Sequence, residues 1–233
     1  MLIAPEFAPI TFTVGFLERP LEEVAGVLRA WYAGAGIART LRPPATGPFP
    51  AALGQLEPLG APEFTRLWVA TASTRWRTAY FDGFVNGTDA FPPVSYLAER
   101  LGCHGLVAGA QPDSAACFGA THIALYGPAA TAWLNLEWSV AALNDGGRWT
   151  FQRTGPPQPF EEPEAYARRR VRDRFPPDLL WRYCRALEVP LDAAAFGPAH
   201  VLDVPTVRAP AGQRRETLAA ARTRLGLAPG AAA

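Results

Sequence analysis

One segment near the middle of the chain, LNLEWSVAALNDGGRWTFQR (134–153), carries the pattern that most constrains the fold. Apolar residues alternate with polar ones in both of its halves, as in two strands that each bury one face. The apolar positions of the first half are Leu134, Leu136, Trp138 and Val140. Asp145-Gly146 is a strong signal for a two-residue hairpin turn. This turn would pair Val140 with Phe151 and Ala142 with Trp149. We therefore predict an antiparallel hairpin whose apolar face is part of a buried sheet.

The other elements indicate an α+β fold. Alternating or apolar runs predict strands over residues 10–16, 66–71, 76–82, 106–110 and 118–126, while prolines followed by apolar stripes predict helices that begin at Pro20, Pro93, Pro163 and Pro177. Strands cluster in the middle and helices at the end, which favours a mostly antiparallel sheet with helices packed on one face.

The distribution of proline, glycine and alanine suggests the domain organisation. We predict one α+β domain over residues 1–204, in which residues 40–62 form a long connection rich in these three residue types. Residues 205–233 have a similar composition and are predicted to be an extended or partly helical, disordered C-terminal tail, with a short helix within 216–225.

Charge and cysteine content narrow the function classes. The 233 residues carry a net charge of +1, and their 22 basic residues are all arginine. Nucleic acid and anionic membranes are not expected as partners of so neutral a chain. The three cysteines are widely spaced, and the apolar N-terminus lacks the basic start of a secretion signal. No apolar run reaches the length of a membrane span, so a cytoplasmic location is expected.

Four residues are the best candidates for acid–base chemistry. Tyr80, Asp82, Asp89 and Glu137 lie at strand ends or on the polar face of the hairpin, where carboxylates at the end of a sheet can flank a substrate. The alternative is that they are turn residues and solvated sheet positions, because Gly83, Asn86, Gly87 and Asp89 all suit a turn. The sequence leaves the choice between enzyme and non-enzyme open and favours the latter.

No metal or cofactor is predicted. Cys103-His104 and Cys117-x4-His122 lack the compact spacing of zinc modules, and they are better explained as buried thiols and a packed histidine. Phosphate loops and dinucleotide fingerprints are absent from the sequence.

The segment YARRRVRDRF (166–175) is a candidate anion-binding site. On a helix, Arg168, Arg169 and Arg172 would share one face. Acidic residues nearly balance the arginines from Glu161 to Glu188, so local ion pairing is the favoured explanation.

The chain also contains seven tryptophans. Those that are exposed would favour a protein-binding surface over a catalytic cleft, because aromatic anchors dominate interface energies.

Three strings, WRTAYFDGFVNGTD, NDGGRWTFQRTGPPQPFEE and YARRRVRDRFPPDLLWRYC, resemble a group of uncharacterised, mostly actinobacterial proteins over roughly residues 76–184. The resemblance implies no catalytic residues. Small cytoplasmic proteins of this kind often serve as immunity partners of polymorphic toxins, which implies a protein partner. We therefore predict a protein-binding domain and, more specifically, an immunity-type partner of a polymorphic toxin. The alternative is an enzyme or a small-ligand-binding protein with a pocket between sheet and helices.

Overall fold

A computed structural model describes residues 3–43, 48–61, 63–206 and 212–227. The strands are β1 (Thr13–Leu17), β2 (Arg39–Arg42), β3 (Leu59–Gly60), β4 (Arg66–Thr71), β5 (Thr78–Asp82), β6 (Gly105–Gln111), β7 (Ala120–Tyr126), β8 (Leu136–Asp145), β9 (Arg148–Thr154), β10 (Phe196–Pro205) and β11 (Arg215–Glu216). The helices are α1 (Leu21–Ala35), α2 (Phe91–Leu101), α3 (Pro163–Tyr166), α4 (Pro177–Ala186) and α5 (Leu218–Arg224).

Nine of these strands form one antiparallel sheet in the order β2-β10-β4-β5-β1-β6-β7-β8-β9. The predicted α+β fold with a mostly antiparallel sheet is thereby confirmed. The remaining two strands, β3 and β11, pair with each other in a separate two-stranded ribbon.

Helices cover both faces of the sheet, which corrects the prediction that they pack on one face. Helices α1 and α2 bury apolar side chains such as Leu28 and Leu97 against one face, which we call the α1/α2 face. Helix α4 buries Leu180 and Tyr183 against the opposite face, the α4 face. The physical reason lies in the central strands: every residue of β1 is buried, so both faces need an apolar cover.

The predicted hairpin forms, with a register two residues away from the expected one. Ala142 lies opposite Phe151, and Gly146-Gly147 makes the turn with φ values of 59° and 92°. A turn of this kind needs positive φ at both central residues, and two glycines meet that need without strain. Because a shift of two keeps side-chain parity, Trp149 and Phe151 still pack on the same face as Val140.

The first strand of the hairpin is shorter than predicted. Trp138 and Val140 are fully buried on the α4 face, but Leu134 precedes β8 and is 77% exposed. Leu136 packs on the α1/α2 face, because the pairing of β7 with β8 shifts between Leu125 and Tyr126. The buried apolar face of the hairpin therefore begins at Trp138.

The two proline-rich segments contain regular structure where they are described. Within 40–62 lie most of β2, a 3-10 helix (Ala51–Leu56) and β3. Within 205–233, residues 212–227 contain β11 and α5, and α5 buries Ala221 completely. The predicted short helix is α5, and it packs against the body of the protein. The predicted disorder of 207–211 and 228–233 falls outside the described residues.

Candidate functional site

The structure brings together three of the four predicted acid–base residues. Asp82, the last residue of β5, accepts hydrogen bonds from the Tyr80 hydroxyl (2.9 Å), the Phe84 N–H (3.0 Å) and the Asp89 N–H (3.1 Å). Complete burial raises the pKa of Asp82 to about 7 and outweighs these bonds, each of which favours the carboxylate. Burial also raises the pKa of Asp89. The Asp82 side chain thus organises the turn from Gly83 to Asp89.

An ion cluster that the sequence analysis missed lies beside this group. Asp203 of β10 is fully buried and accepts from the Arg39 Nε (2.8 Å) and from the Tyr32 hydroxyl (2.6 Å). The Arg66 guanidinium lies 3.7 Å from the same carboxylate. These partners are more than 130 residues from Asp203 in the chain, so no local motif joins them. The one available signal is an acidic residue in an otherwise apolar strand, VLDVP.

Solvent access to Tyr80 and Asp82, and to the Asp203 ion cluster beside them, is restricted. Tyr80 and Asp82 are at most 1% exposed. The nearest surface depression, of about 330 Å³, is lined in part by Tyr32 and Arg39 but not by either of these two residues. Asp203 therefore holds α1 on the sheet through the Tyr32 hydrogen bond and β2 through the Arg39 ion pair, and the arrangement does not present the Asp82 carboxyl to a substrate.

Glu137, the fourth candidate, lies elsewhere. It is on β8, which is four strands away from β5 in the sheet order. Its carboxylate lies 3.5 Å from the Nε2 of His104, while Nδ1 of the same imidazole lies 3.1 Å from the Glu18 carboxylate. Burial would raise the pKa of Glu18, but hydrogen bonds from the His104 N–H and from Arg75 outweigh it and hold this pKa below the ordinary value.

The Glu18–His104–Glu137 group can act as a proton-transfer site. Each imidazole nitrogen faces a carboxylate, and the side chains of His104 and Glu137 are each 38% exposed. From the sequence, His104 was considered as part of a zinc pair and as a possible general base, but not together with Glu18 and Glu137. Its neighbour Cys103 is buried, which raises the pKa of the thiol, and therefore does not supply a reactive thiolate.

The three candidate anion-binding arginines do not share a helical face, which corrects the sequence prediction. Helix α3 ends at Tyr166, and Arg168 and Arg169 lie in irregular chain before a 3-10 turn (Val171–Asp173) that contains Arg172. Arg168 donates to the Asp173 carbonyl and Arg172 lies 3.7 Å from the Asp173 carboxylate. Helix α3 has only four residues, and no side chain caps its N-terminus.

The most exposed large apolar side chains lie on the loop between β7 and β8. Trp133 is 74% exposed and Leu134 is 77% exposed. Leu134 also has a φ of 54°, a left-handed conformation that costs a leucine about 1–2 kcal/mol. All residues from Pro128 to Leu134 are exposed, and none is charged. We call residues 128–134 the Trp133 loop.

Buried hydrogen bonds hold the base of the Trp133 loop. Asn135 is 1% exposed, and its amide donates to the carbonyls of Ser95 (2.9 Å) and Gly127 (2.7 Å) while accepting from the Ser95 hydroxyl (2.6 Å). Within the loop, the Thr131 N–H donates to the Leu134 carbonyl, and the Thr131 hydroxyl accepts from the Trp133 N–H. The loop is therefore an ordered structure that places two large apolar side chains in water.

The described residues show neither a metal-binding cluster nor a membrane-spanning helix. Within the described ranges, no group of three or more histidine, cysteine, aspartate or glutamate side chains is arranged to hold a metal ion. Over the same part of the chain, no helix combines the length and apolarity that a membrane crossing needs.

Comparisons with protein-family models, with curated proteins and with solved structures found no significant match to this chain.

Proposed function

We propose that this protein is a protein-binding domain whose Trp133 loop inserts into a partner. The observation that carries the proposal is the exposure of Trp133 and Leu134 on a loop fixed by Asn135. Tryptophan is enriched among the few residues that supply most of the free energy at protein interfaces. A loop that is already ordered loses less conformational entropy when it binds.

The conformation of Leu134 supports the same conclusion. A residue with a left-handed φ is retained where the surrounding structure or a function requires it, and such strain clusters at binding and active sites. Leu134 makes little contact with the rest of the chain, because more than three quarters of its surface is exposed. Stability of the isolated protein therefore gives no reason for a leucine here, whereas a partner that covers it does.

We further propose that the protein acts in the cytoplasm as an immunity-type partner of a toxin. Residues 76–184 resemble a group of uncharacterised, mostly actinobacterial proteins, and the analogy with small cytoplasmic proteins of this style, which often serve as immunity partners, supports this more specific form. The net charge of +1 is unsuited to an acidic decoy of a nucleic-acid binding site. An uncharged apolar loop is the contact that such a partner would use instead.

A capture experiment with two bait variants tests the proposal. The purified protein and a Trp133→Ser/Leu134→Ser variant serve as baits in native lysate of the source organism, with Phe118→Ser as a matched control. Phe118 is 58% exposed and lies at the other end of β7, so it reports non-specific capture by exposed apolar surface. We expect one stoichiometric partner with the wild type and with the control and none with the double variant. Equal recovery by all three baits would contradict the proposal.

The Glu18–His104–Glu137 group favours a second candidate function, an enzyme or a small-ligand-binding protein. It lies near the Trp133 loop, because Glu137 follows Leu134 by three residues. This alternative predicts that His104→Gln abolishes turnover or ligand binding in a screen of small molecules, while Cys184→Ser, which alters a buried thiol, leaves it intact. A ligand whose affinity is unchanged in His104→Gln would exclude this site.

A further inference from the structure

The last strand of the sheet, β9, leaves one edge unpaired. The sheet order ends at β9, and in the described part of the chain no other strand pairs with its outer side. In a hairpin with a two-residue turn, the residues that flank the turn form a hydrogen-bonded pair, here Asp145 and Arg148. The N–H and C=O groups that face outward therefore belong to Trp149, Phe151 and Arg153.

The opposite edge of the sheet is less suitable for pairing. Strand β2 has four residues, whereas β9 has seven, and short edge strands are a common protection against pairing with another chain. The length of β9 is close to that of a typical strand in a sheet. Strand β9 therefore offers enough outward backbone groups to bind an extended segment.

The surroundings of the β9 edge are basic. Between Arg148 and Arg174 the chain has seven arginines and four acidic residues, a net charge of +3. The 3-10 turn Val171–Asp173 lies against β9, and the Arg174 guanidinium lies 5.9 Å from the centre of the Phe151 ring. Arg169 and Arg170 are exposed beside this turn. The exposed arginines beside this turn therefore add positive charge near β9.

We propose that the β9 edge binds an extended acidic segment of another protein, which adds a tenth strand to the sheet. Main-chain hydrogen bonds supply affinity in this mode, and alternate side chains supply specificity. Acidic residues at every second position of the segment would face Arg169 and Arg170. A second copy of this chain would bring further arginines to the arginines beside β9, whereas an acidic segment complements their charge.

The edge is continuous with the Trp133 loop. Gly155, the residue after β9, packs closely against the backbone of Glu137 near the start of β8, because a Cβ atom on Gly155 would lie 2.0 Å from the Glu137 carbonyl oxygen. The end of β9 therefore lies beside the start of β8. A segment bound along β9 therefore ends close to the loop. In this respect the inference rests on the proposed function, since it names the chemistry of the partner.

The test uses purified full-length protein and a labelled seven-residue peptide with glutamate at alternate positions and threonine or valine between them. Fluorescence anisotropy measures its affinity, and amide NMR shifts locate the site. One comparison peptide has glutamine in place of glutamate, and another has N-methyl groups on alternate residues, which block strand pairing. We expect saturable binding of the acidic peptide, shifts at residues 148–154, and loss of binding with both comparison peptides.

Protein variants supply the matched control. We expect Arg169→Gln/Arg170→Gln to weaken binding about five- to tenfold, as two surface ion pairs would. Arg29→Gln/Arg42→Gln changes two exposed arginines away from β9 and should leave the affinity unchanged. Equal binding of the N-methylated peptide, shifts outside β9, dimerisation through β9, or no saturable binding at millimolar peptide would each overturn the proposal. The capture experiment with the Trp133→Ser/Leu134→Ser bait does not depend on β9. A negative peptide-binding result would therefore overturn the β9 proposal and leave the proposed function to be tested by capture.

Discussion

Replacement of Leu134 by glycine should stabilise the protein, although it removes a large apolar side chain. The left-handed φ of 54° costs a leucine about 1–2 kcal/mol, and glycine adopts it freely. Glycine also makes the unfolded chain more flexible, which costs about 0.5–1 kcal/mol. Because Leu134 is 77% exposed, little packing is lost, and the net gain is about 0.5–1 kcal/mol.

Urea unfolding followed by tryptophan fluorescence measures this gain, since Trp68, Trp76 and Trp138 are fully buried and report the core. Leu134→Ala is the matched control: it shortens the side chain but keeps the Cβ atom that causes the strain, so its stability should stay within about 0.5 kcal/mol of the wild type. Equal stability of the glycine and alanine variants, or a less stable glycine variant, would refute the assignment of strain to this residue.

Three other substitutions test the surroundings of the loop and the buried cluster. Asn135→Ala should lower the free energy of unfolding by about 2–4 kcal/mol, because three buried hydrogen bonds lose their partner; an effect below 1 kcal/mol in the same urea assay would contradict the assigned role. Gly127→Ala should cost less than about 1 kcal/mol, because the new methyl group displaces only the end of the flexible, 38% exposed Glu137 side chain; a loss of about 2 kcal/mol or more would contradict this contact. The pKa of Asp82 is raised to about 7 by burial, above the value of about 4 in the unfolded chain, so stability should fall as pH rises from about 4 to 7. Asp82→Asn should flatten that slope, and an unchanged slope would show that Asp82 does not titrate in this range.

Local patterns were sufficient for the parts of the fold that depend on neighbouring residues. The hairpin 136–154 was predicted because alternation and turn chemistry lie in one short segment. The predicted site at Tyr80, Asp82 and Glu137 was wrong, because Glu137 lies four strands away from β5. Tyr80, Asp82 and Asp89 lie together because a strand end and its following turn hold them within ten residues. The register was wrong by two residues because Asp145-Gly146 and Gly146-Gly147 both suit a tight turn, and only the second puts glycine at both positions of positive φ.

Features that depend on distant residues were not predictable in this way. The bonds of Asp203 to Tyr32 and Arg39 join positions 171 and 164 residues apart, which no motif records. Leu134 continues the apolar alternation of β8, so the sequence predicts that it is buried. It is exposed because Asn135, the next residue, is buried instead and donates to the carbonyls of Ser95 and Gly127. Helices on both faces follow from the burial of every β1 residue, which the sequence pattern of a single strand does not determine.

The proposal that a partner covers the Trp133 loop is tested most directly by comparing the solvent accessibility of Trp133 in the purified protein and in intact cells. Hydroxyl-radical footprinting of the purified protein should oxidise Trp133 rapidly, as its 74% exposure requires. In intact cells of the source organism at native abundance, we predict strong protection of Trp133, with oxidation of Phe118 unchanged. Equal oxidation of Trp133 in both settings would show that no partner covers the loop.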